Sequence, residues 1–378
     1  MTRPEEDEAE RLHDRLVGEL LRGGAIQDPR IEAAFRAVRR HWFLPGSPLD
    51  DVYRDRAVVT RRSQDGVAIS SSSQPALMAQ MLEQVDVRAG MAVLEIGTGT
   101  GYNAALLGRL AGPAGAVLTV DVDPAVTGPA RRHLAGAGAS NVEVVTGDGW
   151  EPETDATFDR IEVTVGVWDL SPAWLALLEP GGVLVAPLWL RAGQQASIAF
   201  RRANGRLEST SVRPCGFMRM RGPGAGEPTY LQVGSWTVAL DHTGPERVRA
   251  LAALLDTDSS VQRVPVLQRG WFTPIALGEP DAVNLFADGP TGPVVRSGIL
   301  QVEPPGLAVV ETKPPAADVI RSFGDDEARR RLVDLLQTAP ALDPSQLAVS
   351  ALPTGEDVDS DGAVATLIRP NFTFVVRR

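Results

Sequence analysis

Apolar residues recur at helical spacing through the first forty positions: Leu12, Leu16, Leu20 and Leu21, then Ile31, Phe35 and Val38. Gly23-Gly24 and Pro29 divide this pattern into two helices. From Pro45 to Gln74 the chain is polar and reads as turns, with an unbroken serine run from Ser70 to Ser73. A helix carrying Ala76, Met78, Met81 and Leu82 follows. From residue 91 short apolar runs alternate with helical stretches. Strands are expected over Met91–Ile96, Ala116–Val120, Val142–Thr146, Arg160–Val165 and Gly182–Pro187, and helices over Asn103–Ala111, Ala125–Ala137 and Pro172–Leu178. That alternation predicts a parallel sheet covered on both faces. Beyond residue 190 it fades into expected strands at Ala196–Arg201, Glu208–Val212 and Gln232–Leu240, with helices near 245–256 and 325–337. The chain ends in an apolar strand, Phe372–Val376, and Arg221-Gly222-Pro223-Gly224-Ala225-Gly226 is the expected linker.

Composition narrows the function classes. The 378 residues suggest two domains or three, and 43% hydrophobic with 22% charged residues is ordinary for a globular protein. A net charge of −11 argues against a duplex-DNA partner, which needs a basic stripe. Arginine supplies nearly all the positive charge, with Lys313 the single lysine. Cys215 is the single cysteine, so no internal disulfide or thiolate metal cluster is expected. The charged N-terminus has no apolar leader core, and no apolar run approaches the roughly 20 residues of a membrane span. A cytoplasmic enzyme without a membrane or nucleic-acid partner is the expectation.

The chemistry gathers in the strand–helix region. Val93-Leu94-Glu95-Ile96-Gly97-Thr98-Gly99-Thr100-Gly101-Tyr102 is a strand, a glycine-rich turn and the start of a helix. Glycines serve where the backbone takes positive φ or approaches a ligand, and a helix N-terminus offers free N–H groups. A dinucleotide pyrophosphate could use the same turn. Glu95 just before it would repel a pyrophosphate and suits a cationic amino-acid ligand. Asp121, with Val122 beside it, ends the next strand where ribose hydroxyls are taken. Asp148 and Gly149 follow the third strand, where Asp148 could accept from an adenine amino group. A ligand-free tight turn is the bland alternative.

Together Glu95–Tyr102, Asp121 and Gly147–Gly149 resemble the class I S-adenosylmethionine-dependent methyltransferases. Val38-Arg39-Arg40-His41-Trp42-Phe43-Leu44-Pro45, Val52-Tyr53-Arg54-Asp55 and Ser73-Gln74-Pro75 narrow the resemblance to protein-L-isoaspartate O-methyltransferase, over about residues 30–200. Arg39 departs from the family pattern, which has proline there. The resemblance implies a Rossmann-like doubly wound α/β sheet with an N-terminal helical cap over 1–78, a cofactor-binding core over 79–220 and a C-terminal α+β extension over 227–378, read as peptide recognition. It implies S-adenosylmethionine as cofactor and S-adenosylhomocysteine as product. Gly97, Thr98, Gly99, Gly101 and Tyr102 join Glu95, Asp121, Val122, Asp148 and Gly149 in the cofactor set.

By match, Ser73 takes the position of the family serine near the transferring methyl, with Ser72 and Ser71 as rivals in register. Ser72, Gln74, His41 and Trp168 are the expected substrate-side residues, although His41 could instead pack under the helices and Trp168 in the core. The extension, with residues 164–174 and 215–220, resembles actinobacterial variants that methylate an aspartate in a lanthipeptide or graspetide precursor, a ribosomally made peptide (RiPP). The ester then closes to aspartimide. General isoaspartate repair, methylation of an unrelated small molecule and a non-catalytic binding role are the competing readings. Asp357-Val358-Asp359-Ser360-Asp361-Gly362 mimics the start of a calcium loop, but Ile368 stands where its glutamate belongs, so no metal is expected.

Overall fold

The computed structural model describes residues 3–64, 66–226, 230–241, 244–289, 292–311 and 318–378. The first helices are α1 (Arg3–Arg22), α2 (Pro29–Ala37) and the single turn α3 (Leu49–Val52). Asp28 caps α2 by accepting from the Arg30 N–H at 2.8 Å, with Pro29 opening the first turn. The polar stretch expected as turns contains a hairpin, β1 (Val58–Arg62) and β2 (Ala68–Ser72), so most of the serine run is strand. Serine has little strand preference of its own. Here the pairing partner, not the propensity, makes the strand.

The helix α4 (Pro75–Val85) leads into β3 (Ala92–Ile96), α5 (Tyr102–Ala111), β4 (Ala116–Asp121), α6 (Pro124–Gly136) and β5 (Val142–Thr146). There follow β6 (Phe158–Val163), α7 (Pro172–Leu177), β7 (Leu178–Trp189), β8 (Gln195–Ala203) and β9 (Arg206–Pro214). In the sheet β5, β4, β3, β6 and β7 lie side by side and parallel, and β8 and β9 add antiparallel strands. The chain order reverses between β3 and β6. Open α/β sheets bind ligands beyond the carboxyl ends of the strands at such a switch point.

The remaining chain forms β10 (Tyr230–Val233), β11 (Trp236–Leu240), α8 (Pro245–Leu255), β12 (Ser259–Arg263), α9 (Phe272–Gly278), β13 (Ala282–Gly289), β14 (Gly292–Gln301), β15 (Gly306–Glu311), β16 (Val319–Gly324) and α10 (Glu327–Thr338). Last come β17 (Ala348–Pro353), β18 (Ala365–Ile368) and β19 (Phe372–Arg377). The strand expected over Gln232–Leu240 is a hairpin, its turn made at Gly234 with φ +57°. The segment expected as one extension is divided between two sheets. Strands β10 to β16 form a seven-stranded antiparallel sheet, whereas β17, β19 and β18 continue the core sheet beyond β9. The start of that segment at 227 falls outside the described residues.

Two buried clusters fill the seven-stranded sheet's faces, one around Ile299, Val310 and Leu332 and one around Leu251, Leu285 and Val309. The sheets are tied by polar bonds: Arg191 Nη1 donates to the Leu277 carbonyl at 2.7 Å, and Asn284 Nδ2 to the Ala192 carbonyl at 2.7 Å. Among the described residues no helix is long and apolar enough to cross a membrane, and no three His, Cys, Asp or Glu side chains are grouped to hold a metal.

Candidate active site

The turn after β3 needs glycine at alternate positions, Gly97, Gly99 and Gly101. Gly97 has φ +102°, and a Cβ there would lie 2.5 Å from Thr164 Oγ1. That hydroxyl is already committed, donating to the Gly97 carbonyl at 2.7 Å. Gly99 has φ +51°, and its Cβ would come within 3.3 Å of the Ser71 carbonyl, so β2 runs against the turn. Gly101 faces the other way, against Ala130 and Leu134 of α6, and is not a wall of the cavity. Gly97→Ala is expected to lower stability by about 2 kcal/mol or more, because strained φ and overpacking add. Urea unfolding checks this, and an unchanged midpoint would contradict the crowding.

A cavity of about 220 Å³ opens beside this turn. Its walls come from the glycine turn, the end of β2 with the start of α4, and residues 216–221. The last group includes Arg221, the start of the expected linker. That segment is packed, not free: Cβ atoms on Gly224 and Gly226 would lie 2.1 Å from Trp150 and 2.7 Å from Trp168.

Asp121 and Val122 line the cavity. The Asp121 carboxylate accepts from the Gly99 N–H at 3.3 Å and the Asp123 N–H at 3.2 Å, burial raises its pKa, and Arg221 stands 3.9 Å away. Gly149 is a wall and Asp148 is not; the Asp148 Oδ1 accepts from the Trp150 N–H at 2.9 Å. Thr98 and Tyr102 also line the space, with Thr98 Oγ1 2.8 Å from Thr119 Oγ1.

Glu95, expected to face the ligand, lies behind the wall. It is fully buried, accepting from Thr119 Oγ1 at 2.5 Å and Asn103 Nδ2 at 2.8 Å, and burial pushes it up to about 8. Of this buried pair, the acid that reaches the cavity is Glu162 of β6, set beside Glu95 in the parallel register. Glu162 belongs to none of the cofactor motifs. A glutamate inside the apolar run Arg160–Val165 was the available signal, since buried carboxylates need a reason.

The opposite wall carries Ser72, Ser73 and Gln74. Their backbone is pinned by Arg40, which has no exposed surface and donates to the carbonyls of Ser73 at 2.8 Å, Val52 at 2.9 Å and Ser72 at 3.2 Å. Asp55 accepts from the Ala76 N–H and from Gln74 Nε2, both at 2.8 Å, which caps α4 and holds Gln74. The Ser73 hydroxyl takes no partner among the described residues. Ser72 is more enclosed, within 3.4 Å of Arg40.

The structure places His41 and Trp168 outside the cavity. His41 Nδ1 lies 2.5 Å from the Tyr53 hydroxyl, and burial lowers its pKa. Trp168 packs between Gly226 and the Arg369 guanidinium, 4.2 Å above its ring. Neighbouring elements partly cover both side chains.

The geometry fits S-adenosylmethionine: a glycine-rich turn borders the space, the Asp121 carboxylate lines it at the end of β4, and Glu162 Oε1 is buried with no hydrogen-bond partner among the described residues. The family model for protein-L-isoaspartate(D-aspartate) O-methyltransferase matches residues 10–222. A protein-L-isoaspartate O-methyltransferase of Rhodopseudomonas palustris (strain BisB5) is 39% identical over 183 residues, 48% of this chain and 80% of the relative. One of Hyperthermus butylicus is 35% identical over 218 residues, 55% of this chain and 88% of the relative. A solved protein-L-isoaspartate O-methyltransferase matches with TM-score 0.53 and 26% identity, covering 89% of this chain and 96% of its own. That coverage reaches well past residue 222, so the extension is no peculiarity of this chain. With a family model spanning more than half its length, a class I fold and a cavity matched to S-adenosylmethionine, the chain belongs to the protein-L-isoaspartate(D-aspartate) O-methyltransferase family.

Proposed function

We propose that this methyltransferase esterifies the side-chain or α-carboxylate of an aspartyl or isoaspartyl residue in a peptide. The observation that carries the reading is the Ser73 hydroxyl, without a partner among the described residues, in the same cavity as the glycine turn and Asp121. S-adenosylmethionine supplies an electrophilic methyl group on sulfonium. A peptide carboxylate is already ionised near neutral pH, so methyl transfer from the bound cofactor would need no general base from this chain. Ser73 donates a hydrogen bond that aims the carboxylate, and Arg40 and Asp55 hold the backbone that carries Ser73. Asp121 accepts from ribose hydroxyls, and Gly97, Thr98 and Gly99 let the ligand approach the backbone. Gly149, packed against Ile96, would form part of the wall on the adenine side. The backbone N–H that follows the esterified residue then attacks the ester carbonyl and methanol leaves, giving aspartimide.

The finer reading is tailoring of a macrocyclic ribosomally made peptide, with residues 227–378 in its recognition. It rests on the likeness of residues 164–174 and 215–220 to lanthipeptide- and graspetide-associated variants. General isoaspartate repair is the second reading, favoured by the relatives' shared name and by the solved protein of that name that spans the extension.

Mass spectrometry with an isoaspartyl peptide and a macrocyclic precursor separates them through +14 and −18 Da products. Modification of the macrocycle alone supports tailoring, and modification of linear isoaspartyl peptides alone supports repair. Absence of both products would sink the proposal. Ser73→Ala is expected to lower kcat about 10- to 100-fold, the worth of a hydrogen bond to a charged group, with S-adenosylhomocysteine affinity unchanged. Asp121→Ala should weaken that affinity instead. Equal losses of affinity in both variants would overturn the role given to Ser73.

A further inference from the structure

The wall of the cavity at β6 holds a carboxylate that the family motifs do not explain. Glu162 has no exposed surface, yet lines the cavity together with Asn103, Met78 and Met81. Its Oε2 accepts from Asn103 Nδ2 at 2.8 Å, and the same amide donates to Glu95 Oε1 at 2.8 Å. The other Glu95 oxygen is taken by Thr119. Among the described residues, Glu162 Oε1 alone in this cluster is buried without a partner. Leaving such an acceptor unpaired is costly, so the arrangement calls for a donor brought by a ligand.

The charged groups facing this wall are Glu95 from β3 and Asp121 from β4; from α5 and α4 come the uncharged Asn103, Met78 and Met81 and the buried phenol of Tyr102. The arginines of the cavity are engaged elsewhere. Arg219 donates to the carbonyls of Ala225 and Gly226, and Arg221 stands 3.6 Å from Asp123. A cation for Glu162 must therefore arrive with the ligand. Burial pushes Glu162 up to about 7, so a cation brought beside it would favour the ionised form.

We infer that Glu162, backed by Asn103 and Glu95, receives the α-ammonium group of the cofactor's amino-acid end. This rests on the cavity being the cofactor pocket. Glu162 is then a binding residue for the known reaction, and Glu95 positions it through Asn103.

The test is calorimetric binding to the full chain of S-adenosylmethionine, S-adenosylhomocysteine and 5′-methylthioadenosine, the last lacking the amino-acid end. Glu162→Gln is expected to weaken S-adenosylmethionine and S-adenosylhomocysteine alike, about 10- to 100-fold, and to leave methylthioadenosine unchanged. At pH 7 the wild type should release more protons on binding S-adenosylhomocysteine than the variant does. A greater loss for S-adenosylmethionine than for S-adenosylhomocysteine would mean that the carboxylate faces the sulfonium, and would overturn the assignment. So would equal losses for all three ligands, or none. A wild-type chain that binds none of them overturns the pocket itself, and the assignment with it. Unchanged affinity for methylthioadenosine reports an intact fold; if Glu162→Gln fails to fold, Glu162→Met, a match in volume, carries the same test.

Discussion

A chain ending at Gly226 is expected to aggregate and to unfold without a cooperative transition, although it contains every motif of the cofactor site. The outer edge of β9 is paired with β17, where Ala351 lies opposite Leu207 and the Val349 N–H donates to Ser209 Oγ at 2.7 Å. Phe372, Phe374, Val376 and Val349 are buried in one cluster with Ile198, Phe200 and Leu207. Burying a large apolar side chain is worth about 1.5–3 kcal/mol, against a total stability of about 5–15 kcal/mol for a domain. The cut also exposes an unpaired strand edge, a template for association. It strips Asp169, 3% exposed, of its bonds from the Asn371 N–H at 2.8 Å and Nδ2 at 3.0 Å. The measurement is urea unfolding with S-adenosylhomocysteine binding on the 1–226 chain. A cooperative transition with full-length affinity would show the two parts to be independent.

The same interlock marks where the sequence stopped being legible. Strands β3 to β7 could be read because each is a short apolar run bounded by turn residues, and the cofactor turn because its glycines follow such a run. Phe372–Val376 was equally readable as a strand, but its partner was not. Pairing across 140 residues, as between Val349 and Ser209, leaves no local trace. The hairpin of β1 and β2 was hidden for another reason, since serines and arginines carry no apolar alternation and take strand geometry from their neighbour. Within the site, Asp121 and Gly97 were legible from position in the motif. Glu95 was placed on the right strand but on the wrong side of the wall, because a motif specifies residue type and not which acid of an adjacent pair meets the cavity. Asp148 likewise spends one carboxylate oxygen on its own turn, a local bond that competes with ligand contact.

Arg40 is the other residue whose loss should be felt throughout. Arg40→Met is expected to destabilise the protein by about 3–5 kcal/mol, because several buried carbonyls lose their donor together. Its Nη1 serves Val52 at 2.9 Å and its Nη2 serves Ser73 at 2.8 Å, so one planar fork joins the last residue of α3 to the residue after β2. Burial lowers its pKa, and among the described residues no carboxylate bonds to it: the backbone carbonyls hold the charge. Arg40→Lys separates charge from geometry. Lysine keeps the charge on a single nitrogen and cannot reach both sets of carbonyls, since its donors share one centre. The lysine variant should therefore fold, with a smaller loss of stability, yet turn over about 10- to 100-fold more slowly, because a serine displaced by as little as about 1 Å misaims the carboxylate. Its affinity for S-adenosylhomocysteine should change little, as Arg40 touches none of the glycine turn. Urea midpoints for both variants and kcat for Arg40→Lys check the argument. Wild-type turnover in the lysine variant would mean that charge alone suffices and that the fork does not set the serine.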